Sequence, residues 1–392
     1  MTIIIIKFIF GLALLVKGAD YLVAGAGRIA TLAGISPLVV GLTVVAFGTS
    51  SPELAVSLKA NFTQQAGISV GNVIGSNITN ILLILGIGAT IAPLAVSQKL
   101  VRMDVPIMIG ISILTLFFSL DRQIGKLDGG LLLLGGILYT SYLLIQSRRN
   151  HQNSQDLTEE LNEEFDVIPE DKSLRAWLKN LGLFVIGLVM VVFGSDWLVS
   201  GATTIAEALG VSELVIGLTV VALGTSLPEL ATSVTASLKG ETDIAVGNVV
   251  GSNIFNILIV LGTAGILAPS GIEVSASAIN LNIPIMIAVA IACLPIFFTD
   301  NLISRWEGIF FWLYYIVYSL FLFLKSTEQE SLPIFNAVML WFVIPMTGVT
   351  LMIITIAHWR DRANHKTQAD QKPLSTQFNP DPEQLNQGKG DK

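Results

Sequence analysis

GLTVVAFGTSSPEL at residues 41–54 returns as GLTVVALGTSLPEL at 217–230, and GNVIGSNITNILLILG at 71–86 returns as GNVVGSNIFNILIVLG at 247–262. Both copies lie 176 residues downstream of their originals, so the chain carries an internal duplication in constant register. Each copy places one glutamate, Glu53 or Glu229, between a proline and a leucine inside a long apolar stretch. An ionisable side chain in a segment able to lie in a bilayer is costly and marks a functional position. The pattern points to a duplicated membrane transporter with an acidic centre.

Composition agrees. The 392 residues are 52% hydrophobic and only 13% charged, with a mean hydropathy of +0.71, whereas a soluble domain is about 25% charged. Apolar runs of about 20 residues, the length that crosses a bilayer as a helix, fall near 3–30, 36–60, 69–92, 103–120, 127–146, 178–208, 212–238, 244–268, 279–298, 306–325 and 334–357. The first run resembles a cleavable leader. Its Gly18, Asp20, Leu22, Val23 and Gly25 nevertheless return deep in the chain as Gly194, Asp196, Leu198, Val199 and Gly201, which argues that it is a retained span. Cys293 is the single cysteine, and His151, His358 and His365 lie outside or at the edge of the spans. No disulfide framework and no histidine/cysteine metal cluster can be assembled in the membrane, so a cation site there must be built from oxygen. No nucleophile with a positioned base is evident, which argues against an enzyme, and no cofactor or nucleic-acid partner is indicated.

The expected organisation is a first transmembrane repeat at 1–146, an acidic cytoplasmic linker at 147–176, a second, inverted repeat at 177–325, an additional transmembrane helix within 326–358 and a polar, disordered tail at 359–392. The linker holds Asp156, Glu159, Glu160, Glu163, Glu164, Asp166, Glu170 and Asp171 without the spaced ligands and glycine of a calcium-binding loop, and reads as solvated. Five spans precede it, so the sixth begins on the side where the first ended and the two copies cross in opposite senses. With the N-terminus outside, thirteen Lys and Arg residues near span ends and loops fall inside and five outside, which satisfies the positive-inside rule. The fold class is therefore an all-α polytopic membrane protein of two inverted five-helix repeats plus one C-terminal transmembrane helix.

Inverted repeats place a substrate near the midplane, where interrupted helices of the two halves meet. Gly48 with Pro52, and Gly224 with Pro228, supply the interruptions, and the carbonyls around Ala46 and Ala222 are expected to be left unpaired there. In helical register Thr49 shares a face with Glu53, and Asn72, Ser76 and Asn80 form one stripe of the next span; the copy offers Thr225, Glu229, Asn248, Ser252 and Asn256. Gly71 with Gly75, and Gly247 with Gly251, allow close backbone approach beside each stripe. Two carboxylates with hydroxyl, amide and backbone oxygens match the six to eight oxygen ligands that Ca²⁺ takes, and their charge balances one Ca²⁺ or two Na⁺. Asp20 and Asp196 are repeated too, but Lys17 lies three residues from Asp20 and is expected to pair with it, so both aspartates are left outside the site.

GTSSPEL with GNVIGSNITN, and GTSLPEL with GNVVGSNIFN, resemble the alpha repeats of the sodium/calcium exchanger family within the calcium/cation antiporters. The resemblance covers about the first 325 residues and implies ten core helices in two inverted halves, alternating access, and competition of Na⁺ and Ca²⁺ for one central cluster, and the first and sixth helices are expected to slide across the remaining core. Carried over by motif position, Glu53 and Glu229 would be the principal calcium ligands. Thr49, Ser50, Ser76, Thr225, Ser226 and Ser252, with the carbonyls of Ala46 and Ala222, would mainly serve sodium, and Asn80 and Asn256 would complete the centre. Some relatives, potassium-dependent exchangers among them, carry aspartate at the position of Asn256, which argues against potassium co-transport here. The proton-coupled branch resembles GNxxE where this chain has GNVIG and GNVVG, so a Ca²⁺/H⁺ antiporter is the alternative, with a cation channel as the alternative of another class. Lipid and the two transported ions are the expected partners, and a prokaryotic plasma (inner) membrane is the expected location.

Overall fold

Apolar segments that must satisfy every backbone N–H and C=O without water fold as helices, and helices make up nearly all of this structure. The computed structural model describes residues 2–33, 35–62, 66–152, 173–208, 222–298 and 301–326, all within one compact unit, Met1–Leu332. The segment 334–357, the tail and most of the linker lie outside the described residues.

The first half comprises α1 (Thr2–Ala33), α2 (37–49), α3 (Ser51–Phe62), α4 (Ala66–Ile91), α5 (Leu100–Phe118) and α6 (Lys126–Gln152). The second repeats the order with α7 (Leu174–Ala208), α8 (Ala222–Thr225), α9 (Leu227–Leu238), α10 (Thr242–Leu267), α11 (278–298) and α12 (Arg305–Ser326). Helix α6 thus runs to Gln152, six residues beyond the span end expected near 146. Among the described residues seven helices are long and apolar enough to span a membrane, and Ala278–Leu294 is a shorter apolar helix. Exposed Leu178, Leu181, Val185, Val189 and Phe193 run along one side of α7, and Leu127, Leu131, Leu134 and Leu138 along α6. Exposed apolar stripes of this kind suit the surface of a membrane-spanning helix. In contrast, every residue of α10 from Ile244 to Phe255 is buried, which makes this helix part of the core.

Glycines bring the helices together. A Cβ on Gly25 would meet Phe184, and one on Gly18 would meet Met190 and Val191, so α1 and α7 run antiparallel in backbone contact. Two further antiparallel contacts are related by the duplication: Gly129 of α6 against Gly262 of α10, and Gly308 of α12 against Gly86 of α4. Four two-residue strands, β1 (Leu94–Ala95), β2 (Gln123–Ile124), β3 (Ile272–Glu273) and β4 (Leu302–Ile303), pair antiparallel as β1 with β4 and β2 with β3. Each pair joins opposite halves, and exchanging the halves converts one pair into the other.

The close approach expected at Gly247 and Gly251 is present, since a Cβ there would lie 3.0 Å from the Leu38 carbonyl and 2.8 Å from Leu42. The positions equivalent to Leu38 and Leu42, 214 and 218, which would face Gly71 and Gly75, lie outside the described residues. Asp20 pairs with Lys17 at 3.7 Å, as its spacing suggested, and also with Lys239 at 3.1 Å.

Candidate cation-binding centre

The helix break comes at a serine in each half. Ser50 (φ −82°, ψ 6°) separates α2 from α3, and Ser226 (φ −90°, ψ 5°) separates α8 from α9. Pro52 and Pro228 then occupy the first turn of the new helix, where a missing N–H costs nothing. Glu53 and Glu229 stand in those same first turns, where the partial positive charge of a helix N-terminus favours a carboxylate. One expectation is corrected here. The Ala46 carbonyl is not bare, because it accepts the Ser50 N–H at 3.0 Å. Proline withholds its N–H from the carbonyl four residues earlier, which is that of Gly48, so only the second lone pair of Ala46 is left to a cation. Ala222 opens α8.

Both glutamates are completely buried, and each carboxylate is held by both halves. Glu53 Oε1 accepts from Ser76 of its own half and Ser226 of the other, both at 3.4 Å. Glu229 Oε1 accepts from Ser252 at 3.4 Å and from Ser50 of the other half at 3.0 Å. Thr49 donates to Asn248 Oδ1 at 3.1 Å, and Thr225 donates to Asn72 Oδ1 at 3.3 Å. Asn72 and Asn248 in turn donate to the backbone carbonyls of Glu53 and Glu229 and to Ser57 and Ser233. The two carboxylates thus belong to one interlocked cluster, and every cross-half bond has a counterpart under exchange of the halves.

Several acceptors remain. Among the described residues nothing donates to Glu53 Oε2, Glu229 Oε2, Asn80 Oδ1 or Asn256 Oδ1, all buried. Three of the four serine contacts to the carboxylates are longer than the 2.5–3.0 Å of a good O–H···O bond, so protein donors offset little of the cost of burying two charges, several kcal/mol each. The donor set is oxygen-only and contains two carboxyl groups, a composition that hard cations favour.

All twelve residues singled out from sequence lie on or at the breaks of the interrupted helices or on α4 and α10; Glu53, Glu229, Thr49, Ser50, Ser76, Thr225, Ser226 and Ser252 join this cluster, while Asn80 and Asn256 bond to Asn253 and Asn77. Asn80 and Asn256 moreover begin π-helical turns, Asn80–Leu85 and Asn256–Leu261, a local widening common at functional sites. Asn72 and Asn248, noticed only as stripe members, orient the centre from behind. Asn77 and Asn253 were not singled out at all, although their GSN triplet returns in both motifs.

The fold and this centre define a helical membrane protein with two equivalent halves that enclose an acidic, oxygen-lined core. A profile of the family described as "Sodium/calcium exchanger protein" matches residues 3–148 and 179–324, and the chain belongs to that family. It is 35% identical over 349 residues to the sodium/calcium exchanger MaX1 of Methanosarcina acetivorans, covering 82% of this chain and 99% of that protein. To the inner membrane protein YrbG of Escherichia coli it is 38% identical over 287 residues, 73% of this chain and 86% of the other. A solved structure of the sodium-calcium exchanger NCX_Mj superposes with a TM-score of 0.69 at 33% identity, covering 81% of this chain and 98% of that one.

Proposed function

We propose that the protein is a secondary active antiporter that exchanges Na⁺ for Ca²⁺ by alternating access at the Glu53/Glu229 centre. The observation that carries the reading is the matched set of buried acceptors to which no described residue donates, one carboxylate oxygen and one amide oxygen from each half. A Ca²⁺ ion is neutralised by the two carboxylates, and the hydroxyls of Thr49, Ser50, Ser76, Thr225, Ser226 and Ser252 retain lone pairs for Na⁺. The second lone pair of the Ala46 carbonyl and the carbonyl of Ala222 join that sodium set. With neither ion bound, two adjacent buried carboxylates oppose passage of the centre through a closed state, which couples the two fluxes instead of allowing leak. In this reading the antiparallel α1·α7 pair slides across the remaining helices. The repeats at 1–146 and 177–325 cross in opposite senses, the N-terminus is outside, and the linker is cytoplasmic. A prokaryotic inner membrane suits the chain, as the relative YrbG is named for one.

The test is purified protein in liposomes loaded with Na⁺, with Ca²⁺ entry followed under separate sodium, proton and potassium gradients. Sodium alone is expected to drive entry, and Glu53→Gln or Glu229→Gln is expected to abolish it in folded protein. Retained flux in either variant refutes the assigned centre. Entry driven by protons alone would replace the reading with a Ca²⁺/H⁺ antiporter, and entry without any opposing ion, with unitary currents, would replace it with a channel.

A further inference from the structure

Asn77 and Asn253 are the same position in the two copies, and they touch. Asn77 Nδ2 donates to the Asn253 backbone carbonyl at 3.3 Å, and Asn253 Nδ2 donates to that of Asn77 at 3.3 Å. A residue can meet its own copy only on the axis relating the halves, so that axis passes between these two side chains. Each amide also donates to a methionine sulfur, Asn77 to Met286 at 3.7 Å and Asn253 to Met108 at 3.6 Å. Each Oδ1 accepts from the opposite half: Asn77 from Asn256 Nδ2 at 3.1 Å, and Asn253 from Asn80 Nδ2 at 3.0 Å.

These partners permit one orientation. If the Asn77 amide were reversed, its oxygen would face a carbonyl oxygen and a thioether sulfur, both acceptors, and its NH₂ would face the NH₂ of Asn256. A buried amide left in that state loses its hydrogen bonds and leaves its neighbours unsatisfied. With Asn77 so constrained, the NH₂ of Asn256 must point to it, and Asn256 Oδ1 must take the other side, where no described group donates to it. The same holds for Asn253 and Asn80.

We infer that Asn77 and Asn253 are positioning residues that set the polarity of the cation centre, each compelling the asparagine of the opposite half to present oxygen instead of NH₂ to the ions. An asparagine free to rotate presents either end, and its NH₂ repels a cation. The inference rests on the reading that Ca²⁺ and Na⁺ bind at this centre. Because each copy orients the ligand of the other, both halves must be in place before either amide is aligned.

The experiment measures Ca²⁺ binding to the purified full-length protein by calorimetry for wild type, Asn77→Ala, Asn256→Asp and the double variant. Carboxylate presents oxygen whichever way it turns, so Asn256→Asp removes the need for orientation. Asn77→Ala is expected to weaken Ca²⁺ binding about tenfold in the wild-type background, the effect of one misdirected buried ligand, and to cause no further loss in the Asn256→Asp background. Asn77→Ser, too short to reach Asn256, is read the same way if the alanine variant does not fold. An equal loss in both backgrounds, or no loss in either, overturns the inference and leaves the two-glutamate reading standing. Wild-type Ca²⁺ binding that survives both Glu53→Gln and Glu229→Gln overturns that reading and this inference with it.

Discussion

Replacing Gly187 by alanine tests the contact on which the proposed motion depends. An ideal Cβ at Gly187 would lie 2.4 Å from the Leu22 nitrogen, 2.7 Å from the Gly18 carbonyl oxygen and 2.8 Å from the Leu22 Cα. Non-bonded heavy atoms rest about 3.5–4.0 Å apart, so the new methyl overlaps backbone by about 1 Å. Backbone cannot rotate away as a side chain can, and α1 must move off α7 instead. A gap of about 1 Å forfeits up to half of each lost contact, and overpacking of this kind costs about 1–3 kcal/mol. Gly187→Ala is therefore expected to lower the unfolding temperature of the purified protein by a few degrees and to slow sodium-driven Ca²⁺ flux. Gly182→Ala on the same helix has no described atom within 4 Å of the added carbon and serves as the control. If Gly187→Ala unfolds and transports like Gly182→Ala, the backbone contact between α1 and α7 is not a feature of the folded protein, and the reasoning fails.

A Cβ at Gly25 would lie 2.7 Å from the Phe184 nitrogen, so Gly25→Ala is expected to part α1 from α7 and to lower the unfolding temperature as Gly187→Ala does. Unchanged unfolding of Gly25→Ala would show that the two backbones do not touch at that point. Tyr139→Phe removes the hydroxyl that donates to buried Asp104 Oδ1 at 2.9 Å, and Asp104 Oδ2 already lacks a described partner. The expected result is a loss of about 1–3 kcal/mol in stability, read by thermal unfolding, with Ca²⁺ affinity unchanged because the pair lies outside the centre. Lys239→Ala breaks the 3.1 Å pair with Asp20, both partners about one-third exposed. Such a pair contributes about 1 kcal/mol or less, so unfolding should shift little, and less still in high salt; a large shift would mean that this contact carries more than a surface ion pair.

The duplication, the helical class and the two glutamates are readable directly in the residues, and for local reasons. A bilayer admits apolar helices and penalises a stray carboxylate wherever it falls, so Glu53 and Glu229 stand out without any knowledge of their neighbours. Proline and glycine likewise announce an interrupted helix near Thr49 and Thr225 because their backbone restrictions travel with them. The position of the break was less legible. It falls at Ser50 and Ser226, and it leaves Ala46 with a backbone donor instead of a bare carbonyl.

What the residues alone conceal is the exchange between halves. Ser50 serves the glutamate of the other copy, Thr49 meets Asn248, and Asn77 meets its own copy across an axis that no spacing reveals. Lys239 reaches Asp20 from a turn 219 residues away. Each of these depends on how far apart two helices pack and how each is rotated, quantities summed over many contacts. The direction of an amide is more remote still: an asparagine is written identically whether it offers oxygen or NH₂, and the neighbours of Asn77 and Asn253 settle which end of Asn80 and Asn256 turns toward them.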